Sequence, residues 1–100
     1  MLRIVAVSVL HVFFCTPVYA QSMEARIADE RYDELSEHIL NFQRAFKDND
    51  DELGCSELNN AMTIVRLNLT GLQEISSTID WYEWRKSWLP ALRQCNERYY

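Results

Sequence analysis

Three cysteines have the most definite chemistry in this sequence: Cys15, Cys55 and Cys95. Cys15 lies in an N-terminal segment that we expect to be removed, which leaves Cys55 and Cys95 as a pair. In an exported protein, an even pair of cysteines most simply forms one disulfide bond. Closing a loop of about 41 residues stabilises a fold by about 4 kcal/mol, through the entropy of the unfolded chain.

The expectation of export comes from residues 1–20, which have the features of a cleavable signal peptide. Arg3 supplies the positive charge, Ile4–Phe14 forms an apolar run and Ala20 provides a small residue at the cleavage site. The apolar run has about 11 residues, whereas a helix that spans a bilayer needs roughly 20. We therefore expect a periplasmic or secreted protein with no stable membrane insertion after cleavage.

Cleavage after residue 20 would leave one domain over residues 21–100. Two alternatives stay open. The segment could remain as an N-terminal anchor, because Val18 replaces the usual alanine of the cleavage site. Cys15 could instead be lipidated, although Phe13 and Phe14 stand where a lipidation peptidase needs small residues.

Outside that segment the sequence has one histidine, His38, and no second histidine for a metal site or a proton relay. Glu34 lies one helical turn earlier and is the natural partner of a solvated imidazole. A b-type haem held by His38 and either Met23 or Met62 is an alternative, although methionine is also common in protein cores.

The acidic run Asp48–Glu52 invites a calcium interpretation, but the EF-hand template counted from Asp48 fails at Leu53 and Asn59. We expect a solvated turn before a helix instead. The sequence also lacks CxxC, GxSxG, HExxH, P-loop and GxGxxG motifs. These patterns predict a protein that is not an enzyme and binds no metal, cofactor or nucleic acid.

Apolar spacing predicts an all-α fold. Apolar residues recur every three or four positions over residues 22–47, which indicates a helix capped by Ser22; they are Ala28, Tyr32, Leu35, Ile39, Phe42 and Phe46. A second helix is predicted over residues 56–79, with Ser56 as N-cap, Gly54 as a cap of the preceding turn and Gly71 as a possible end.

The third predicted helix covers residues 80–98, with Asp80 as N-cap and a kink or restart at Pro90. Short connections favour antiparallel neighbours, and a Cys55–Cys95 disulfide joins the start of the second helix to the end of the third. We therefore predict a small antiparallel three-helix bundle with one disulfide. A homodimer through the first helix is the alternative if that helix does not fold back.

Two features suggest an interaction surface. Residues 21–57 contain 11 acidic and four basic residues, whereas residues 58–100 contain four acidic and five basic ones. The first helix would carry an acidic face, formed by Asp29, Glu30, Asp33, Glu34 and Glu37. The third helix is rich in aromatic residues, and four side chains off its core stripe are candidate anchors: Tyr82, Arg85, Leu89 and Tyr100.

These observations predict a small exported helical protein that binds another protein, in the manner of an inhibitor or immunity protein. The acidic face would attract a cationic partner and the aromatic side chains would anchor it. In size, charge and cysteine content the chain resembles several exported groups, including acid-activated periplasmic chaperones, lysozyme inhibitors and immunity proteins. The alternatives are a periplasmic acid-stress chaperone and a structural or haem-carrying helical bundle.

Overall fold

A computed structural model describes residues 22–76 and 78–100 of the chain. It contains four helices, α1 (Met23–Lys47), α2 (Asp51–Leu67), α3 (Leu69–Ile75) and α4 (Trp81–Tyr99). The predicted all-α fold is confirmed, with the second predicted helix divided in two. The predicted signal peptide and Cys15 lie outside the described residues. No helix in the described part is both long and apolar enough to cross a membrane.

Helix α1 begins and ends as the sequence predicts. The hydroxyl of Ser22 accepts a hydrogen bond from the backbone N–H of Ala25 at 3.0 Å, as an N-cap does. Asn49 has a φ of 60°, and the N–H of Asp50 donates to the carbonyl of Ala45 at 2.8 Å. Asn49 therefore provides the left-handed residue of a Schellman motif, which ends the helix.

Helix α2 starts five residues before the predicted N-cap, so the assignment of Ser56 to that position is wrong. Asp50 is the N-cap, and its carboxylate accepts from the N–H of Leu53 at 3.2 Å. Gly54 is a buried residue of the first turns of α2 and not a cap. Asp51 and Glu52 lie in the first turn, where negative charge interacts favourably with the helix dipole. The acidic run is thus mostly the beginning of a helix.

The break between α2 and α3 occurs at Asn68, and Gly71 lies inside α3. The side-chain amide of Asn68 donates a hydrogen bond to the carbonyl of Ile64 at 2.8 Å. The backbone N–H of Asn68 donates to the carbonyl of Val65 at 3.2 Å. These bonds replace the regular helical pattern locally. Gly71 instead allows α3 to approach α1, because a Cβ at this position would overlap the carbonyl oxygen of Glu24.

Helix α4 starts at a well-formed cap and continues through Pro90. The carboxylate of Asp80 accepts from the N–H groups of Tyr82 and Glu83 at 3.1 and 3.2 Å. Gln73 fixes the connection to α3, since its side chain donates to the carbonyl of Ile79 and accepts from the N–H of Trp81, each at 2.9 Å. Of the predicted kink or restart at Pro90, the restart is wrong, because α4 is one helix from Trp81 to Tyr99 with Pro90 inside it.

Helices α2 and α3 together run antiparallel to both α1 and α4. The Cys55–Cys95 disulfide is confirmed, with a Cα–Cα distance of 5.4 Å, and it joins the start of α2 to the last turns of α4. Helix α1 folds back onto α2 and α3, so its apolar stripe is used within the chain. The core combines this stripe with residues of the other helices: Ala28, Leu35, Phe42, Cys55, Leu58, Ala61, Met62, Val65, Leu72, Trp81 and Cys95.

Candidate interaction surfaces

Four carboxylates between positions 29 and 37 of α1 form a surface that we call the acidic row: Asp29, Glu30, Asp33 and Glu37. All four side chains are exposed. Within residues 22–76 and 78–100, none has a Lys, Arg or His nitrogen within 4.0 Å. The fifth predicted residue, Glu34, differs from them, because it forms an ion pair with Arg31 at 3.0 Å. The acidic row therefore keeps its charge free for an external group.

His38 links α1 to α2 through a partner that the sequence analysis did not identify. Its Nδ1 lies 2.5 Å from a carboxylate oxygen of Glu57, and its Nε2 lies 3.7 Å from Glu34. Met23 precedes His38 by fifteen residues, a distance of about 22 Å along a helix. With both ring nitrogens facing carboxylates, nothing in this arrangement favours His38 as a haem ligand. The separation of 19 residues between His38 and Glu57 gave no periodic signal.

The four predicted anchors do not form one patch. Tyr82 and Tyr100 are 54% and 70% exposed, but they lie at opposite ends of α4, about 27 Å apart along the helix. Leu89 is partly buried and packs against the core. Arg85 is also partly buried, and its Nε has no hydrogen-bond partner within the described residues. Only the two tyrosines are therefore well exposed to a partner.

A layer of aromatic rings separates α1 from α4. No Cα atom of α1 comes within 8 Å of a Cα atom of α4. The rings of Phe42 and Trp88 nevertheless lie 4.8 Å apart, and those of Tyr32 and Trp81 lie 6.4 Å apart. We call this layer the aromatic seam; its residues are Tyr32, Phe42, Phe46, Trp81, Trp84 and Trp88.

The aromatic seam is only partly closed to solvent. Phe42 and Trp81 are buried, whereas the other four rings are partly exposed. Asp29 precedes Tyr32 by three positions, and residues three apart are neighbours on a helix surface. Asp29 of the acidic row therefore neighbours Tyr32 of the aromatic seam on the surface of α1. The sequence indicated the acidic residues and the aromatic residues, but the aromatic seam forms only because α1 and α4 run parallel and bring their rings together.

A cleft of about 630 Å³ opens at the disulfide end of the bundle. We call it the disulfide-end cleft, and its lining comes from the end of α1, the start of α2 and the last turns of α4: Phe46, Asp51, Cys55, Trp88, Ala91, Gln94, Cys95, Glu97, Arg98 and Tyr99. The guanidinium of Arg98 lies 3.4 Å from the carboxylate of Asp51 across this region. Because three helix ends build the cleft, no local sequence pattern indicated it.

The described residues contain no group of three His, Cys, Asp or Glu side chains placed to hold a metal ion. Comparison of the chain with protein-family models, with curated proteins and with solved structures finds no match. A functional proposal therefore has to come from the surfaces themselves.

Proposed function

We propose that this chain is a small exported binding protein, without enzymatic activity, that recognises a cationic amphipathic segment of another protein. The observation that carries the proposal is that Asp29 of the acidic row lies next to Tyr32 of the partly exposed aromatic seam. A segment that lies over this position would place basic side chains over α1 and apolar side chains against the partly exposed rings. Helical segments bind hydrophobic grooves in this manner, and charge complementarity selects among partners.

The acidic row destabilises the folded chain through repulsion between like charges, which supports a role in recognition. Asp29, Asp33 and Glu37 follow one another at intervals of four residues. Like charges at this spacing destabilise a helix by about 0.2–0.5 kcal/mol per pair. Within the described part of the chain, no Lys, Arg or His nitrogen lies within 4.0 Å of these three carboxylates. A cationic partner would remove the repulsion on binding.

Export is part of the proposal, and two observations support it. Residues 1–20 have the charge and hydropathy pattern of a signal peptide. The Cys55–Cys95 disulfide is typical of proteins that fold in an oxidising compartment. Radiolabelled or tagged full-length chain, expressed in an exporting bacterium, would be cleaved after Ala20 and recovered outside the cytoplasm.

The binding proposal is tested with two synthetic amphipathic helices of equal length and apolar composition. One peptide carries lysine on its polar face and the other carries glutamate. We expect the oxidised protein to bind the lysine peptide saturably with one-to-one stoichiometry, more tightly at about 50 mM than at about 300 mM salt. Isothermal titration calorimetry gives both affinity and stoichiometry. Equal affinity for the glutamate peptide would contradict the proposal.

Charge-reversal variants separate the acidic row from the net charge of the protein. Asp29→Lys combined with Asp33→Lys should weaken binding of the lysine peptide at least tenfold. Asp48→Lys combined with Glu52→Lys makes the same change in net charge at the turn between α1 and α2, and should weaken binding less than threefold. If both pairs of substitutions have the same effect, the peptide responds only to overall charge and the acidic row is not the binding surface.

A further inference from the structure

The disulfide-end cleft has the size and lining of a ligand site, and it is separate from the acidic row. Its volume of about 630 Å³ lies within the range of about 300–1,000 Å³ that small-molecule sites occupy. Three aromatic residues, Phe46, Trp88 and Tyr99, line it together with Gln94. A cleft of this kind combines apolar faces with a few polar groups that orient a ligand.

The charges around the cleft favour a cation. Asp51 and Glu97 contribute two carboxylates to the lining, against one guanidinium from Arg98. Arg98 already faces Asp51 at 3.4 Å, which leaves Glu97 without a basic partner in the described part of the chain. An anionic ligand would therefore meet repulsion.

Aromatic faces provide the second contribution to cation binding. A cation over the face of Trp, Tyr or Phe is attracted by about 0.5–1 kcal/mol at exposed positions and more when water is excluded. Three such rings line one cleft here. The disulfide forms part of the wall and holds the ends of α2 and α4 together before any ligand arrives. A preformed wall reduces the entropy lost on binding.

We propose that the disulfide-end cleft binds small organic cations with an ammonium group and an aromatic or alkyl body. The ammonium group would lie against the aromatic faces and near Glu97, and the body would fill the apolar part beside the disulfide. This site shares Phe46 and Trp88 with the aromatic seam but uses no residue of the acidic row. Variants at Glu97 and Tyr99 therefore test this site, whereas variants at Asp29 and Asp33 test the binding of a protein partner.

Benzyltrimethylammonium is a suitable probe, with phenylacetate as the anionic control and benzyl alcohol as the neutral one. Titration of the oxidised full chain is followed by tryptophan fluorescence, to which Trp88 contributes together with Trp81 and Trp84, and by amide chemical shifts, which locate the site. We expect saturable binding of the cation with a dissociation constant of about 1 mM or tighter. Shift changes should concentrate at Gln94, Glu97 and Tyr99. The dissociation constant of each control compound should be at least tenfold higher than that of the cation.

Variants at the rim of the cleft test the site without disturbing the core. Tyr99 and Glu97 are exposed, so Tyr99→Leu combined with Glu97→Gln should leave the circular dichroism spectrum unchanged and raise the dissociation constant at least fivefold. Tyr82→Leu, on the same helix at its opposite end, is the matched control and should have no effect. The proposal is overturned if the cation does not saturate by about 10 mM, if a control compound binds equally well, or if Tyr82→Leu weakens binding as much.

Discussion

At the scale of single residues, Gly71 determines how closely α3 packs on α1. A Cβ at position 71 would overlap the carbonyl oxygen of Glu24 and lie 2.9 Å from the Cβ of Ala28. Backbone atoms in helices cannot move aside cheaply, so Gly71→Ala should force the two helices apart. We expect a loss of about 1–3 kcal/mol in the free energy of unfolding, typical of overpacking, despite the better helix propensity of alanine. Urea denaturation followed by circular dichroism measures it.

Gly54 provides the matched control for Gly71, because it is also a buried glycine inside a helix. A Cβ at position 54 would lie 2.5 Å from Cε1 of Phe46, which is a ring atom at the end of a rotatable side chain. Phe46 is partly exposed and can turn away. Gly54→Ala should therefore change the free energy of unfolding by less than about 1 kcal/mol. Equal losses at both positions would show that the close approach of α3 to α1 is not what requires Gly71.

At the scale of helices, the bond between His38 and Glu57 ties α1 to α2 beside the core. Both side chains are about four-fifths buried, with relative exposures of 20% and 18%. A hydrogen bond to a charged group stabilises more than one between neutral groups, and partial exposure reduces the contribution. We expect His38→Ala to lower the free energy of unfolding by about 1–2 kcal/mol at neutral pH, measured by urea denaturation.

The Arg31–Glu34 ion pair is the control for this bond, since it lies within α1 and both side chains are about half exposed. Arg31→Ala should lower the free energy of unfolding by less than about 0.5 kcal/mol. A loss at His38→Ala no larger than this would mean that the contact with Glu57 contributes nothing between the helices. Glu57→Gln, which keeps an acceptor for the imidazole, should be less harmful than Glu57→Ala.

The same helices show which features the sequence predicts and which it does not. The apolar spacing of α1 and the pair Cys55 and Cys95 are strong signals, and both predictions are confirmed. The start of α2 was misplaced because Asp and Asn favour turns and helix N-caps alike, so Asp50 resembles a turn residue until its bond to Leu53 is known. The break at Asn68 depends on a side-chain bond to Ile64 that leaves no periodic trace.

The interaction surfaces also differ in how far the sequence predicts them. The acidic residues of α1 are evident from sequence, because one helix carries them all and their exposure follows from the apolar stripe opposite. The predicted anchors on α4 assumed that side chains off its main stripe face solvent. Leu89 packs against the core instead, because more than one row of apolar residues on α4 contacts the rest of the protein. The disulfide-end cleft joins three helix ends, and only the tertiary arrangement brings Phe46, Asp51 and Tyr99 together.

At the scale of the whole molecule, the position of its charges predicts how the fold responds to acid. Every described Asp and Glu is exposed or only partly buried, and no charged side chain lies in the core. Since the core contains a disulfide and no carboxylate, acid removes no contact within the core itself.

We therefore expect the oxidised protein to keep most of its near-ultraviolet circular dichroism at about pH 3 and to bind no anilinonaphthalene sulfonate there. The Trp81, Trp84 and Trp88 side chains make this signal a sensitive measure of tertiary packing. The reduced protein is the control, because loss of the Cys55–Cys95 bond removes about 4 kcal/mol and should allow the packing to loosen in acid. An oxidised protein that loses its near-ultraviolet signal, keeps its helices and binds the dye would contradict this expectation and favour an acid-activated chaperone over a rigid binding protein.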